Sequence, residues 1–255
     1  MLSFPDWSAE EDEDVGDHSL RLLTVAKPDT ARDLAANVVP DHYTSPEHIA
    51  RVFQNLGKPG VAALLRTKLP TDKTKRSGDL GEIIATEYVD ERTEFSTPVK
   101  RLRWKDHREM SMRGDDVIGI CLPQGGGRIR FLKVEAKSEA ALQTRTVEKA
   151  RQALDGDAGL PSSHSLTYMS ERLLEMEQEE LADAIDFAQL RDGITAAQVS
   201  HMLFAFSGNA PSGFLKTDLK NYAGPIVQRS VGLRITQHQK FIASVYNKVL
   251  ADNES

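Results

Sequence analysis

Residues 112–138 read MRGDDVIGICLPQGGGRIRFLKVEAKS, and the order of charge, apolar run and glycine in this stretch decides how the rest of the chain is read. Two apolar runs, Asp116 to Leu122 and Ile129 to Ala136, are separated by Gln124-Gly125-Gly126-Gly127-Arg128. Glycines tolerate the positive φ that a tight hairpin turn demands, so the spacing predicts two antiparallel strands. An acid pair, Asp115-Asp116, opens the first strand, and Glu135-Ala136-Lys137 ends the second. Alternate side chains of an extended segment share a face, which puts Glu135 and Lys137 on one side of the sheet. A two-residue loop at Gly125-Gly126 sets Asp116 opposite Glu135. A three-glycine loop slips the pairing by one and brings Asp115 opposite Lys137 instead. Facing Cβ atoms lie roughly 4.5–5.5 Å apart, a separation at which two carboxylates can share a divalent cation.

Such a trio suits phosphodiester hydrolysis. The phosphate is shielded by its own negative oxygens, so the reaction calls for a hard cation, and Asp with Glu supplies the oxygen ligands that Mg²⁺ (or Mn²⁺) prefers. An ammonium beside them can orient or help deprotonate the attacking water and offset charge developing on phosphorus. The triplet alone carries little information, because Asp218-Leu219-Lys220 fits it equally well without a preceding strand or hairpin.

Working outward, helical periodicity runs from Ser45 through Ile49, Val52, Phe53 and Leu56 to Gly57, and again from Gly60 to Leu65. The polar stretch Thr71 to Gly78 reads as a loop, followed by a helix Leu80 to Asp90 with Asp79 as N-cap. Further strands are expected at Val99 to Trp104 and His201 to Phe206, and helices at Glu139 to Leu154, Ser170 to Gln189 and Thr236 to Leu250. Three regions follow: an acidic flexible tail over 1–17 with an anchoring piece around Phe4 and Trp7, a helical preface over 18–77, and a catalytic domain over 78–255 with a helical C-terminal part.

The formal charge of −6 conceals a polarised chain. Residues 1–17 hold seven acids and no Lys or Arg, so the remainder carries +1. Lys100 to Arg113 holds six bases, a local surface that can attract phosphate whatever the global sum. Lys100, Arg101, Arg103 and Lys105 on the expected strand, Arg113 before the acid pair, and Arg145 and Lys149 at i, i+4 on the following helix are the candidate DNA contacts. No apolar run approaches the ~20 residues of a membrane span, and the first residues are acidic where a signal peptide is basic, so the expectation is a cytoplasmic protein. One cysteine excludes a disulfide framework and a cysteine zinc site. The seven histidines lack ligand spacing. No GxxxxGK[ST] or GxGxxG occurs, so this chain is not expected to bind a nucleotide.

The succession of a helix with Glu82, a strand with Asp116, a hairpin, Glu135-x-Lys137 and a following helix resembles the PD-(D/E)xK nuclease superfamily over about residues 78–207. That resemblance implies an α/β, restriction-endonuclease-like αβββαβ core with a mixed sheet flanked by helices, extended here by N- and C-terminal helical additions. More specifically, Gly81-Glu82, the basic segment 100–105, Arg113-Gly114-Asp115-Asp116 and Val134-Glu135-Ala136-Lys137-Ser138 resemble HamA, the nuclease subunit of Hachiman anti-phage defence. The likeness implies Asp116, Glu135 and Lys137 as catalytic positions, the first two binding the metal, with Glu82 a further acid. It also implies a helicase partner, HamB, that holds the nuclease in check until aberrant DNA is met. From the residues alone Glu82 reads equally as part of a capping box with Asp79. Rival readings are a stand-alone structure-specific nuclease of resolvase or Mrr type, and a catalytically silent DNA-binding adaptor of a helicase.

Overall fold

The structure is a computed structural model describing residues 1–123, 125 and 127–253; the expected turn residues Gln124 and Gly126 lie outside the described residues. Among the described residues six strands form one mixed sheet: β1 (Ser8–Val15), β2 (His18–Val25), β3 (Val117–Cys121), β4 (Arg130–Glu139), β5 (Val199–Ser207) and β6 (Val227–Arg234), in spatial order β1-β2-β6-β5-β4-β3. β2, β6, β5 and β4 run parallel, and an antiparallel neighbour closes each side, β1 on β2 and β3 on β4. The helices are α1 (Phe4–Trp7), α2 (Pro28–Tyr43), α3 (Pro46–Lys68), α4 (Lys73–Arg92), α5 (Thr144–Asp155), α6 (Ser163–Glu175), α7 (Glu179–Asp186), α8 (Ser212–Asn221) and α9 (His238–Ala251).

The central strands explain themselves. In β5 the sequence VSHMLFAFS is almost wholly buried, as a strand covered on both faces must be. On one face Leu132, Val134, Met202, Phe204, Phe206, Val231 and Leu233 pack against α2, α3, α4 and α9. On the other, Leu203 and Ala205 meet α5 and α8, while Ile118, Ile120 and Phe131 meet α6 and α7. β4 changes character along its length: Phe131 to Val134 are buried, whereas Glu135 to Glu139 are only partly covered. The α/β class with a mixed sheet between helices is therefore what the structure has.

Four expectations are corrected. The acidic segment is not a flexible tail but the edge strand β1, held by its ladder to β2 and by Asp12 to Arg21 at 2.5 Å, Glu10 to Arg92 at 2.6 Å and Glu13 to Lys216 at 2.7 Å. Phe4 and Trp7 do anchor its start in the core. Thr71 to Gly78 is not a loop beyond its first residues: Asp72, accepting the Lys75 N–H at 2.9 Å, caps α4, and buried Ser77 faces Ser138 across the sheet boundary. The Val99 to Trp104 strand is absent. A 3-10 turn, Arg101–Trp104, tucks Leu102 inward, and the third core strand shrinks to the bridge Ser96↔Ile120. The N- and C-terminal additions are not purely helical either, since β1, β2 and β6 complete the sheet. The Gly57 break does occur, with φ 66° interrupting α3. Among the described residues no helix is long and apolar enough to cross a membrane.

Candidate active site

β3 and β4 pair from Val117↔Val134 to Cys121↔Arg130. Carried one step further, this register sets Asp116 opposite Glu135, the alternative expected from a two-residue loop. Where the backbone ladder stops, the Asp116 side chain continues it, its Oδ2 accepting the Ala136 N–H at 3.0 Å. Glu135 and Lys137 share a face of β4, and the Lys137 ammonium is ion-paired to the Glu135 carboxylate. Their side chains are 13% and 27% exposed. Burial, reinforced by the charge of Asp116, pushes the Glu135 carboxyl up to about 7. Burial acts the other way on Lys137, but Glu135, Asp116 and Glu139 together outweigh it and hold the ammonium above its ordinary value.

Asp115 belongs to a different constellation. It is buried, and its Oδ2 accepts both the N–H and the Oγ of Ser162 at 2.9 Å. Lys133, also buried, has its Nζ 3.5 Å from Asp115 and donates to the carbonyls of Gly156 at 2.8 Å and Leu160 at 3.0 Å. These bonds pin the segment before β3 to the start of α6. A one-residue step along the chain thus separates an aspartate that ties loops together from one that faces Glu135.

Glu82 reaches the same region from α4. It is not a capping residue, because the helix starts at Lys73 and Asp79 sits inside it, bound by Lys105 Nζ at 2.6 Å and by the Tyr43 hydroxyl at 2.7 Å. Burial pushes the Glu82 carboxyl up to about 8, against the pull of Arg101, 3.0 Å away, and with the push of Asp116. α4 comes this close because residue 81 is glycine: a Cβ there would stand 2.8 Å from the Cβ of Ser138. Gly114 is required twice over, with φ +91° and with Ser165 Oγ 2.4 Å from the place of a Cβ.

The seven candidate DNA contacts divide. Lys100 is ion-paired to Glu87 and Asp90, Arg101 to Glu82, Arg103 donates to the Asp41 carbonyl at 2.6 Å, and Lys105 is buried on Asp79. With the expected strand replaced by a turn, these four cations point into the protein and hold it together. Arg113, Arg145 and Lys149 are exposed. Arg145 lies in the first turn of α5, which Thr146 ties to the end of β4 through Glu139 at 2.8 Å.

Sequence reading missed a cavity of about 430 Å³ that opens beside Asp116 and Glu82. Trp104, Tyr168, Met112 and Met169 line it together with Arg101 and Arg113. No spacing rule joins these residues, which come from the 3-10 turn, the loop after it and α6.

Among the described residues no group of three or more His, Cys, Asp or Glu side chains is placed to hold a metal. Mg²⁺, however, characteristically takes one or two protein carboxylates and keeps several waters. Asp116 and Glu135, two oxygen donors whose charges repel across adjacent strands, fit that demand. The residues therefore suit a hard divalent cation better than a closed structural site.

The HamA family model matches residues 2–249. A Bacillus cereus protein, Hachiman protein HamA, is 25% identical over 177 residues, which cover 69% of this chain and 61% of that protein. The chain thus aligns with about three fifths of that relative's length. With the matched residues spanning all of the sheet and both helical layers, the chain belongs to the HamA family.

Proposed function

We propose that this chain is a metal-dependent DNA endonuclease and the effector of an anti-phage defence complex, held in check by a HamB-like helicase partner. The observation that carries the reading is the register-determined meeting of Asp116 and Glu135 with Lys137 beside them. Membership of the HamA family, and the name Hachiman carried by the Bacillus cereus relative, support the defence role and the partner.

In this mechanism Asp116 and Glu135 hold Mg²⁺ or Mn²⁺, which supplies charge neutralisation at the scissile phosphate. Lys137 donates hydrogen bonds to the attacking water, orients it toward phosphorus, and offsets negative charge that grows on the phosphoryl oxygens. The half-buried setting strengthens both effects, since charges interact more strongly where water is partly excluded. Glu82, desolvated behind Asp116, adds a carboxyl that keeps its proton at neutral pH and can donate it. Arg113, Arg145 and Lys149 engage the phosphate backbone without reading sequence, which makes binding steeply salt-dependent.

The test is plasmid conversion by the purified chain with Mg²⁺, Mn²⁺ or EDTA, alongside Glu135→Ala and Lys137→Ala, with and without the helicase. Cation-dependent nicking that both variants lose, and that the helicase suppresses, is the expected result. A wild-type chain inert with every cation, even beside DNA-engaged helicase and ATP, overturns the nuclease and leaves a DNA-binding adaptor.

A further inference from the structure

The cavity beside Asp116 has no part in the chemistry described so far, yet it shares Asp116 and Glu82 with it. Its volume of about 430 Å³ falls in the ~300–1,000 Å³ range of sites that enclose small organic groups. Its lining is unlike a phosphate groove. Trp104 and Tyr168 stand edge to face with ring centroids 6.3 Å apart, and thioethers of Met112 and Met169 complete an apolar, polarisable wall. The guanidinium of Arg172 lies 5.9 Å from the Trp104 ring and 5.5 Å from that of Tyr168, bracing both from behind. Glu82 and Arg101, ion-paired with each other at 3.0 Å, form a polar part of the wall. Exposed Arg113 stands on the lining where a phosphate chain would pass.

A flat, aromatic body with a polar edge, tethered to a phosphate, matches this enclosure. We propose that the cavity walled by Trp104, Tyr168, Met112 and Met169 receives an unstacked nucleobase next to the phosphate held at Asp116 and Glu135. The ligand's phosphate rests on the nuclease reading above; the base pocket rests on the cavity. In a continuous duplex each base is paired and stacked, and withdrawing one costs energy that a strand already single pays in full beforehand. The chain therefore acts on single-stranded or locally opened DNA in preference to continuous duplex.

Trp104 is one of two tryptophans, and Trp7 is buried in the core outside the cavity lining, so Trp7→Phe leaves Trp104 as the reporter. In a Trp7→Phe, Lys137→Ala chain with Mg²⁺ present, a short oligothymidylate is expected to quench the emission saturably, as stacking on the indole requires. The same sugar-phosphate strand without bases is expected to bind about tenfold more weakly, and a blunt duplex to leave the emission unchanged. Equal affinity for the base-free strand, or equal quenching by duplex, overturns the proposal. If Trp7→Phe does not fold, anisotropy of labelled oligonucleotides on Lys137→Ala makes the same comparison. Cleavage separates this idea from the one beneath it. A wild-type chain that cuts continuous duplex as fast as gapped DNA removes the base pocket and keeps the nuclease. Base-dependent quenching without cleavage of any DNA keeps the pocket and removes the nuclease.

Discussion

Two acid–lysine sets lie side by side at the β3–β4 end of the sheet, and they are built on opposite plans. In the first, Asp115 and Lys133 neutralise each other, and the remaining hydrogen-bonding capacity goes to Ser162 and to the carbonyls of Gly156 and Leu160. In the second, one cation, Lys137, faces two carboxylates, and the repulsion from Asp116 adds to burial in raising the Glu135 carboxyl. A buried polar group that only braces the fold is fully partnered, because an unpaired charge there is costly. A set left one charge short is poised to gain from something that is brought to it.

Substitutions can break or sharpen this contrast. The largest effect belongs to the unbalanced set: Lys137→Ala and Asp116→Ala are each expected to lower cleavage by about 10²–10⁴-fold. Melting temperatures close to wild type in the same preparations would show that the loss is chemical; a large drop would make this set a structural one. Lys133→Met should do the reverse, costing about 3–5 kcal/mol of stability by stranding Asp115, while whatever fraction stays folded still cuts. Denaturant titration measures it, and a cost under about 1 kcal/mol would erase the distinction between the sets. Gly81→Ala drives a methyl against Ser138 and is expected to cost about 1–3 kcal/mol, with partial recovery in the double variant Gly81→Ala, Ser138→Gly.

The smallest effect is on pH. The raised Glu82 and Glu135 carboxyls keep protons in the folded chain that the unfolded chain has released above about 4.5. The native state then binds more protons, so stability falls as pH rises from about 4.5 through 7 to 8. Glu135→Gln should flatten that slope in thermal melts. Added Mg²⁺ should raise the wild-type melting temperature at pH 8 and leave the Glu135→Gln chain nearly unmoved. A slope identical in both chains would mean that Glu135 is not held out of balance.

How much of this could be read from the chain depends on where the deciding interactions lie. The hairpin was legible because a glycine-rich turn separates two apolar runs, but its register stayed open between two alternatives one residue apart, which only the ladder from Val117↔Val134 decides; β5 was legible because a run such as MLFAF has nowhere to go but inside. The Lys100 to Lys105 segment misled because four cations conceal a single inward residue, Leu102, and because their partners Glu87, Asp79 and Glu82 lie on a helix whose face is set only by packing. Its neighbour α4 was cut short for a similar reason: Lys73 to Arg76 look like loop until Asp72 is seen to cap them. In the first strand, pairing with β2 overrode a composition that suggests disorder. The cavity was invisible, since its walls meet only once the chain has folded.

The parallel pairing of β2 with β6 joins Ser19 to Arg229, positions at nearly opposite ends of the chain. On the ribosome the β1–β2 hairpin must therefore wait, its inner edge unpaired, until β6 has emerged. An open strand edge is a template for other nascent chains, and the acids of β1 make that waiting hairpin mutually repellent between copies. The acids of β1 thus act twice, as like charges that keep copies of the open hairpin apart and then as partners of Arg21, Arg92 and Lys216 in the finished sheet.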